Sequence, residues 1–532
     1  MLKELFNNLI STSEFEQSKL NSILLVGFST LVFYFIIYPL YFHPLSNIPG
    51  PKICSLTKYY ILYISWSEQR NRYVQKLHEQ YGSIVRIGPN EIDINDIKYQ
   101  KDIYVGNFDK SSFYAQFVNY DEPNTFSTQD KKQHIQSRKV SHKFYSKTNI
   151  CSENIMSKIV TVMTATLKVF DEYNKESIDV FNVFCNMAMD AVTSFSFGRG
   201  NYDSLLADPF GKGNQIVKEF GLQSSTGFWV TEMPYFYDYV ATDKVIEASN
   251  KCYKWIENQF LNAFNNINET IEQNEETLLT VYFDYDKVNG KVIQKSPIFT
   301  KNRTKSEFFD HIAAGHVTTG TTLSYFFYEL AKNPKIQKKI QKELIDTLNN
   351  GKPIESSNHI PFDYSLIDDE YLLPYTHATL LETFRLRAAI PGQEPRIVPS
   401  KGMIFNGNEN VKPCKIPGGT TIVMQPWSLH RILTLFPDPD TFNPDRWLDA
   451  SDEQYKLMKA NLMHFGAGSR MCIGLNLATA EIKIILTSLL CRYNITLDDK
   501  FDYDHDGEML DIYTTVPRSE QMVLKFTPIL SS

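Results

Sequence analysis

A mainly α-helical domain with small peripheral β-sheets, preceded by one N-terminal transmembrane helix, is the fold class this sequence predicts. Three observations carry it. Apolar residues return every three or four positions over residues 305–333, 335–350, 370–387 and 475–492, as expected of helices with one buried face. Runs of β character are few and short, at residues 83–87, 420–424 and 522–526. Residues 21–42 hold no charged side chain, and at about 20 residues per span that stretch is long enough to cross a bilayer as a helix.

The apolar segment is read as a retained anchor. A cleaved signal peptide has a shorter apolar core of about 7–15 residues followed by small residues at the cut, whereas this one ends in aromatics and Pro39. The next stretch, residues 43–52 (HPLSNIPGPK), cannot continue a helix, because each proline fixes φ and removes a donor; it is expected to be a stiff hinge. The chain therefore divides into a short tail (1–20), an anchor helix (21–42), the hinge (43–52) and one large domain (53–532). Its 532 residues are 42% hydrophobic and 22% charged, enough apolar material for a large core. A net charge of -7 gives no reason to expect nucleic acid. Seven cysteines without a CxxC pair argue for a reducing compartment.

One of those cysteines stands apart. Phe465-Gly466-Ala467-Gly468-Ser469-Arg470-Met471-Cys472-Ile473-Gly474 frames Cys472 with three glycines, an aromatic and an arginine. Glycines let backbone lie close against a flat macrocycle, loop N–H groups can aim at a thiolate, and Arg470 offers donors suited to a carboxylate. A random cysteine is more often inert and buried; the surrounding pattern reverses those odds. Position for position, the decapeptide resembles the haem-binding signature of the cytochrome P-450 family of haem-thiolate monooxygenases, with Phe465, Gly468, Arg470, Cys472 and Gly474 in the signature places.

The rest of the chain resembles the family in order. Glu382 and Arg385, at i and i+3 on one helical face, match its glutamate-x-x-arginine motif. Arg446, in the meander 436–447, matches that motif's third partner, and the implied role is the frame under the cysteine loop. Propionate contacts are expected from Arg470, from Arg396 and from His134 and Arg138, with His134 standing where the family has tryptophan; a ring nitrogen still donates. Ala313-Ala314-Gly315-His316-Val317-Thr318-Thr319 resembles the oxygen-side motif, which implies that Ala314 and Gly315 lie on the oxygen-side helix, that Gly315 thins it beside the iron, and that Thr318 and Thr319 supply hydroxyls for catalysis. Val317 replaces the family's acid and cannot relay protons, and His316 lies about 100° round the helix, so it is no simple substitute.

The resemblance implies a haem b with Cys472 as axial thiolate, dioxygen as co-substrate, and electrons from NADPH through a membrane-bound reductase. It implies an endoplasmic reticulum anchor with the catalytic domain on the cytosolic side. Pocket walls are expected from residues 114–124, 220–237, 309–319, 388–392 and 513–516. Residues 81–91 look like fungal members of the family, many of which act in secondary metabolism. The expected substrate is a small lipophilic or aromatic metabolite, a cyclic dipeptide among the candidates. Sterol or fatty-acid hydroxylation is the neighbouring reading, and Val317 motivates a non-oxygenating isomerase or dehydratase.

Overall fold

The computed structural model describes residues 14–106, 108–173, 176–352 and 363–529; residues 1–13 of the expected tail and the last residues, 530–532, lie outside them. The predicted helices are present as Lys301–Lys332, Pro334–Asn349, Pro374–Leu386 and Leu475–Leu490. Their starts have local causes. Thr300 caps the first by accepting from the Arg303 N–H at 3.1 Å, and prolines open the second and third, where the missing N–H costs nothing.

The long helix Lys301–Lys332 runs through the main core against Val180–Phe197, every residue of which is buried. Their contact is close enough that a Cβ on Gly320 would overlap Cys185. Strands Tyr493–Leu497, Val523–Pro528 and Ser177–Asp179 form an antiparallel sheet on this core, with Ile495 opposite Phe526 and Leu524 opposite Ile178. A second sheet has the order Ile84–Gly88, Glu91–Ile94, Thr421–Val423, Arg396–Ile397, Asp109–Lys110. Its last pairing sets Lys110 opposite Arg396, which bears on the site.

The apolar segment is one continuous rod, an α-helix over Glu14–Val32 that widens into a π-helix over Phe33–Phe42. Pro39 lies inside the wide turns, which accommodate a ring that would clash in a regular α-turn. The stretch Lys19–Phe42 has a mean hydropathy of 2.2 and none of it is buried against the rest of the protein. The expected hinge is docked rather than free. Leu45 and Ile48 are buried, and Arg86 reaches across, its N–H donating to the Pro49 carbonyl (2.7 Å) and its Nη1 to the Pro39 carbonyl (2.8 Å).

Residues 203–300, where periodicity is weak, fold into short pieces followed by one long helix, Asp243–Asn265, and a hairpin of Phe283–Asp286 with Lys291–Gln294. The pieces include Asn214–Ser224, Gly227–Glu232 and Tyr237–Val240.

Candidate active site

The frame is a single buried carboxylate with five donors. Glu382 accepts from Arg385 Nε (2.9 Å) and Nη2 (2.8 Å), from Arg446 Nε (3.1 Å), from the Asn443 N–H (2.9 Å) and from the Trp447 indole N–H (2.9 Å). Burial alone would raise its pKa; Arg385, Arg446 and the Asn443 N–H outweigh that and hold it below the usual carboxylate range. The remaining guanidinium donors fasten the meander, Arg385 to the Pro439 carbonyl (2.6 Å) and Arg446 to the Pro437 carbonyl (2.8 Å).

His430 links this frame to the cysteine loop. Its Nδ1 faces the Arg385 carbonyl at 3.0 Å, and its Nε2 faces the Met463 N–H at 3.0 Å. Both contacts are satisfied by one neutral tautomer, Nδ1–H donating and Nε2 accepting. Phe384 adds a stack on His464 (4.3 Å) and an edge contact with Phe465 (5.5 Å).

Beyond Phe465 the chain turns through Gly466 and Gly468, both with φ near +70°, the left-handed region that favours glycine. A Cβ on Gly468 would overlap the Tyr104 carbonyl. The Cys472 N–H donates back to the Phe465 carbonyl (2.8 Å) and closes the loop. Gly474 then begins the helix Leu475–Leu490. Burial raises the Cys472 thiol, while the Gly474 N–H, Arg138 and the Leu475 N–H pull it down. Cys472 presents accessible surface although protein surrounds it, so that surface faces an internal space.

A cluster of basic side chains lies beside that space. His134, on a helix Lys131–Ser141 capped by Asp130, is 3% exposed, and its Nδ1 has no hydrogen-bond partner among the described residues. Burial and then Arg470, Lys110, Arg138 and Arg396 push its pKa down to about 3. Arg470 donates to the Thr128 and Gln129 carbonyls, both at 2.6 Å. Arg396 is buried, bonded to the Tyr114 hydroxyl at 2.8 Å. Lys110 is buried too; burial, Arg396 and Arg470 hold its pKa well below the ordinary lysine value. Glu394, 3.6 Å from Arg396, offsets part of this charge, and a further anion would be favoured among basic groups this buried.

The long helix supplies the opposite wall. Asp310, Ala313, Ala314, Gly315, Val317 and Thr318 carry accessible surface in the middle of a buried helix, while His311, Ile312, His316 and Thr319 are buried. The Thr318 hydroxyl donates to the Ala314 carbonyl at 2.8 Å. His316 turns away, donating to the Ile312 carbonyl and lying 5.1 Å from the Phe220 ring.

The family described as Cytochrome P450 matches residues 48–518 of this sequence. The chain belongs to the cytochrome P450 family. Among its relatives, it is 30% identical over 489 residues to the cytochrome P450 monooxygenase tazI of Aspergillus terreus, covering 90% of this chain and 93% of that protein. It is 28% identical over 472 residues to the monooxygenase orf2 of Aspergillus niger, covering 86% and 88%. With the monooxygenase aba2 of Botryotinia fuckeliana it shares 25% identity over 519 residues, covering 92% of each. These are fungal oxidoreductases, and the family implies a haem-thiolate cofactor.

The P450 residues accommodate such a group. The enclosed sulfur faces open space, the glycine-bearing loop leaves room above it, and the unpartnered His134 nitrogen with its cationic neighbours suits the two propionates. Lys110 was missed in the sequence because its two-residue strand, Asp109–Lys110, gives no periodic signal. Trp447 and His430 were missed because nothing in sequence marks a cross-chain hydrogen bond.

Gly315 shares the accessible stretch of the long helix, and its Cβ direction meets Val192 Cγ2 at 3.3 Å, so the missing side chain also lets two helices approach. Thr319, 2% exposed, lies off the accessible face that Thr318 shares.

The expected pocket walls come together. Phe117 and Phe113 lie 5.8 and 5.1 Å from Tyr513. Thr515 donates its N–H to the Ala389 carbonyl (2.9 Å), and Phe220 lies 6.0 Å from Phe309.

Proposed function

We propose that this chain is a membrane-anchored haem-thiolate monooxygenase that inserts one oxygen atom of dioxygen into a small apolar or aromatic metabolite. The observation that carries this reading is the enclosed Cys472 sulfur facing an internal space, with cations on one side and the accessible face of Ala314, Val317 and Thr318 opposite. When bound there, haem supplies activation of dioxygen by a thiolate-ligated iron.

The chain's own residues do the remaining work. Cys472 would hold the iron through its sulfur, and Lys110, His134, Arg138, Arg396 and Arg470 would hold the propionates. Ala314 and Val317 make an apolar ceiling that excludes water. The Thr318 hydroxyl gives its proton to the Ala314 carbonyl, which leaves its lone pairs free to accept from a water. We assign it the holding of that water as proton carrier, with no acid at 317 to assist.

Electrons would come from an NADPH-dependent reductase. Lys131, Lys132, Lys139 and Lys143 are exposed around the helix that carries His134 and Arg138 inward, a surface suited to an acidic partner. A membrane anchor is supported by the unburied span Lys19–Phe42, and its placing in the endoplasmic reticulum with the domain cytosolic follows the family resemblance. Helix Tyr59–Trp66, which packs on Gly227–Glu232, agrees with it by exposing Tyr59, Tyr63 and Trp66. The fungal relatives favour a place in secondary metabolism, and the aromatic pocket favours a compact aromatic substrate over a sterol or fatty acid.

A second reading, a haem-thiolate isomerase or dehydratase, is favoured by Val317 and by the Thr318 proton being spent on Ala314; turnover without NADPH and dioxygen would select it. The test of the main reading is the ferrous carbon monoxide adduct. The wild-type protein should show the red-shifted thiolate-type Soret band, and Cys472→Ala should lose it while retaining haem. An unchanged band in that variant would overturn the assignment.

A further inference from the structure

A buried phenol beside the sulfur loop faces a base that the proposed mechanism does not use. Tyr145 stands in the turn after helix Lys131–Ser141 and is 4% exposed. Asn476, four residues past Cys472, donates its side-chain N–H to the Tyr145 carbonyl at 2.9 Å. That bond holds Tyr145 against the start of the helix Leu475–Leu490. The Tyr145 hydroxyl lies 3.0 Å from Nδ1 of His311 on the long helix, and the two rings meet edge-on at 5.5 Å.

His311 is buried too. Its Nε2 lies 3.5 Å from Oε2 of Glu307, an oxygen that no hydrogen bond reaches among the described residues. The other oxygen, Oε1, accepts from the Thr125 N–H (2.6 Å) and hydroxyl (2.7 Å). Phenol, imidazole and carboxyl group are therefore lined up in that order, with the last fixed in place.

Burial, and then Cys472, raise the Tyr145 phenol well above the usual tyrosine range, so it does not ionise by losing a proton alone. Burial, and then Arg138, hold His311 down to about 4, so its ring is neutral and one nitrogen is free to accept. Loss of an electron changes the balance. An oxidised phenol is strongly acidic, and its proton can cross the existing contact to Nδ1. The buried tyrosines on the cationic side lack such a base. Tyr104 donates to the Glu394 backbone carbonyl (2.7 Å) and Tyr114 accepts from Arg396 (2.8 Å), and neither partner takes up a proton.

We propose that Tyr145 and His311 form a redox pair that supplies electrons to the haem when peroxide oxidises it in a pocket without substrate, so that peroxide is consumed before it attacks the Cys472 sulfur. This rests on haem being held by Cys472 as proposed above. Each step moves one electron from Tyr145 to the haem and the hydroxyl proton to His311, leaving a neutral phenoxyl radical and an imidazolium facing Glu307. A hydrogen-atom donor of the ascorbate class restores Tyr145 and is itself oxidised, and the imidazolium passes its proton to the peroxide oxygens. Two such steps supply the two electrons and two protons that turn one hydrogen peroxide into two waters.

The test mixes the full-length ferric holoprotein, without substrate, with hydrogen peroxide and reads electron paramagnetic resonance on freeze-quenched samples. It is run at about pH 9, above the value of about 8 to which burial raises Glu307, so that Oε2 is ionised opposite His311. Wild type should show a tyrosyl signal that narrows when the protein carries ring-deuterated tyrosine. Tyr145→Phe should lose that signal. His311→Phe, which keeps the tyrosine and removes the base, should lose it as well, and it serves alone if Tyr145→Phe fails to fold. Both variants should lose Soret absorbance to peroxide faster than wild type. Absence of the signal in wild type overturns the proposal, as does a signal of wild-type size in either variant or Soret loss at the wild-type rate. The carbon monoxide band of the same preparations separates the two readings. Its absence in wild type overturns both, while its presence without a tyrosyl signal counts only against the redox pair.

Discussion

The indole N–H of Trp447 donates to Oε2 of Glu382 at 2.9 Å, and both side chains are buried. Trp447→Phe keeps the ring and removes the donor. It should cost about 1–3 kcal/mol, the range for a lost bond to a charged acceptor. Glu382→Gln, which leaves two arginines short of their counter-charge, should cost about 3–5 kcal/mol. Urea unfolding of the two variants against wild type checks the order; equal costs would contradict it.

His430→Phe removes the acceptor for the Met463 N–H and the donor to the Arg385 carbonyl. The variant should fold, lose haem faster, and show a larger share of the unshifted carbon monoxide band, because the cysteine loop loses its tie to the frame. Haem transfer to apomyoglobin gives the rate. Wild-type retention in the variant would confine His430 to packing.

Two glycines of one helix should respond differently to alanine. At Gly320 the new Cβ overlaps Cys185 and crowds its backbone at 3.0 Å, so Gly320→Ala should destabilise by about 1–3 kcal/mol despite better helix propensity. At Gly315 the nearest atom is a Val192 methyl at 3.3 Å, which can shift a little, so the change should stay within about 1 kcal/mol. Thermal unfolding of the pair measures the contrast.

Glu307 gives a pH signature. Burial first, and then Asp310, raise its carboxyl to about 8 against the Thr125 donors. The folded state therefore keeps a proton that the unfolded state has released. That contribution is complete below about 4.5 and is lost as pH rises through about 8. Glu307→Gln cannot titrate, so its stability relative to wild type should rise with pH between those limits, by at most about 1.4 kcal/mol per pH unit. A flat difference between pH 5 and pH 8 would show that Glu307 is ionised in the fold.

The helices bounding the site were legible because their apolar period is regular and their starts carry caps or prolines, as at Thr300 and Pro374. The sulfur loop was legible for another reason: positive φ at Gly466 and Gly468 leaves a glycine in the sequence. Lys110 and Trp447 left no such trace, since what defines them is a partner far along the chain, Arg396 for one and Glu382, 65 residues away, for the other. Gly315 was seen, but sequence tells only that a side chain is missing, and Val192 shows where it would have pointed.

Arg86 ties the end of the apolar rod to the first strand through the carbonyls of Pro39 and Pro49. A soluble version of this enzyme cut just before residue 43 would strip the Pro39 acceptor from a guanidinium that is 1% exposed. The customary removal of a leader is therefore a change to the body of the protein. A cut nearer residue 33 would spare the last wide turns and trade some solubility for an intact joint.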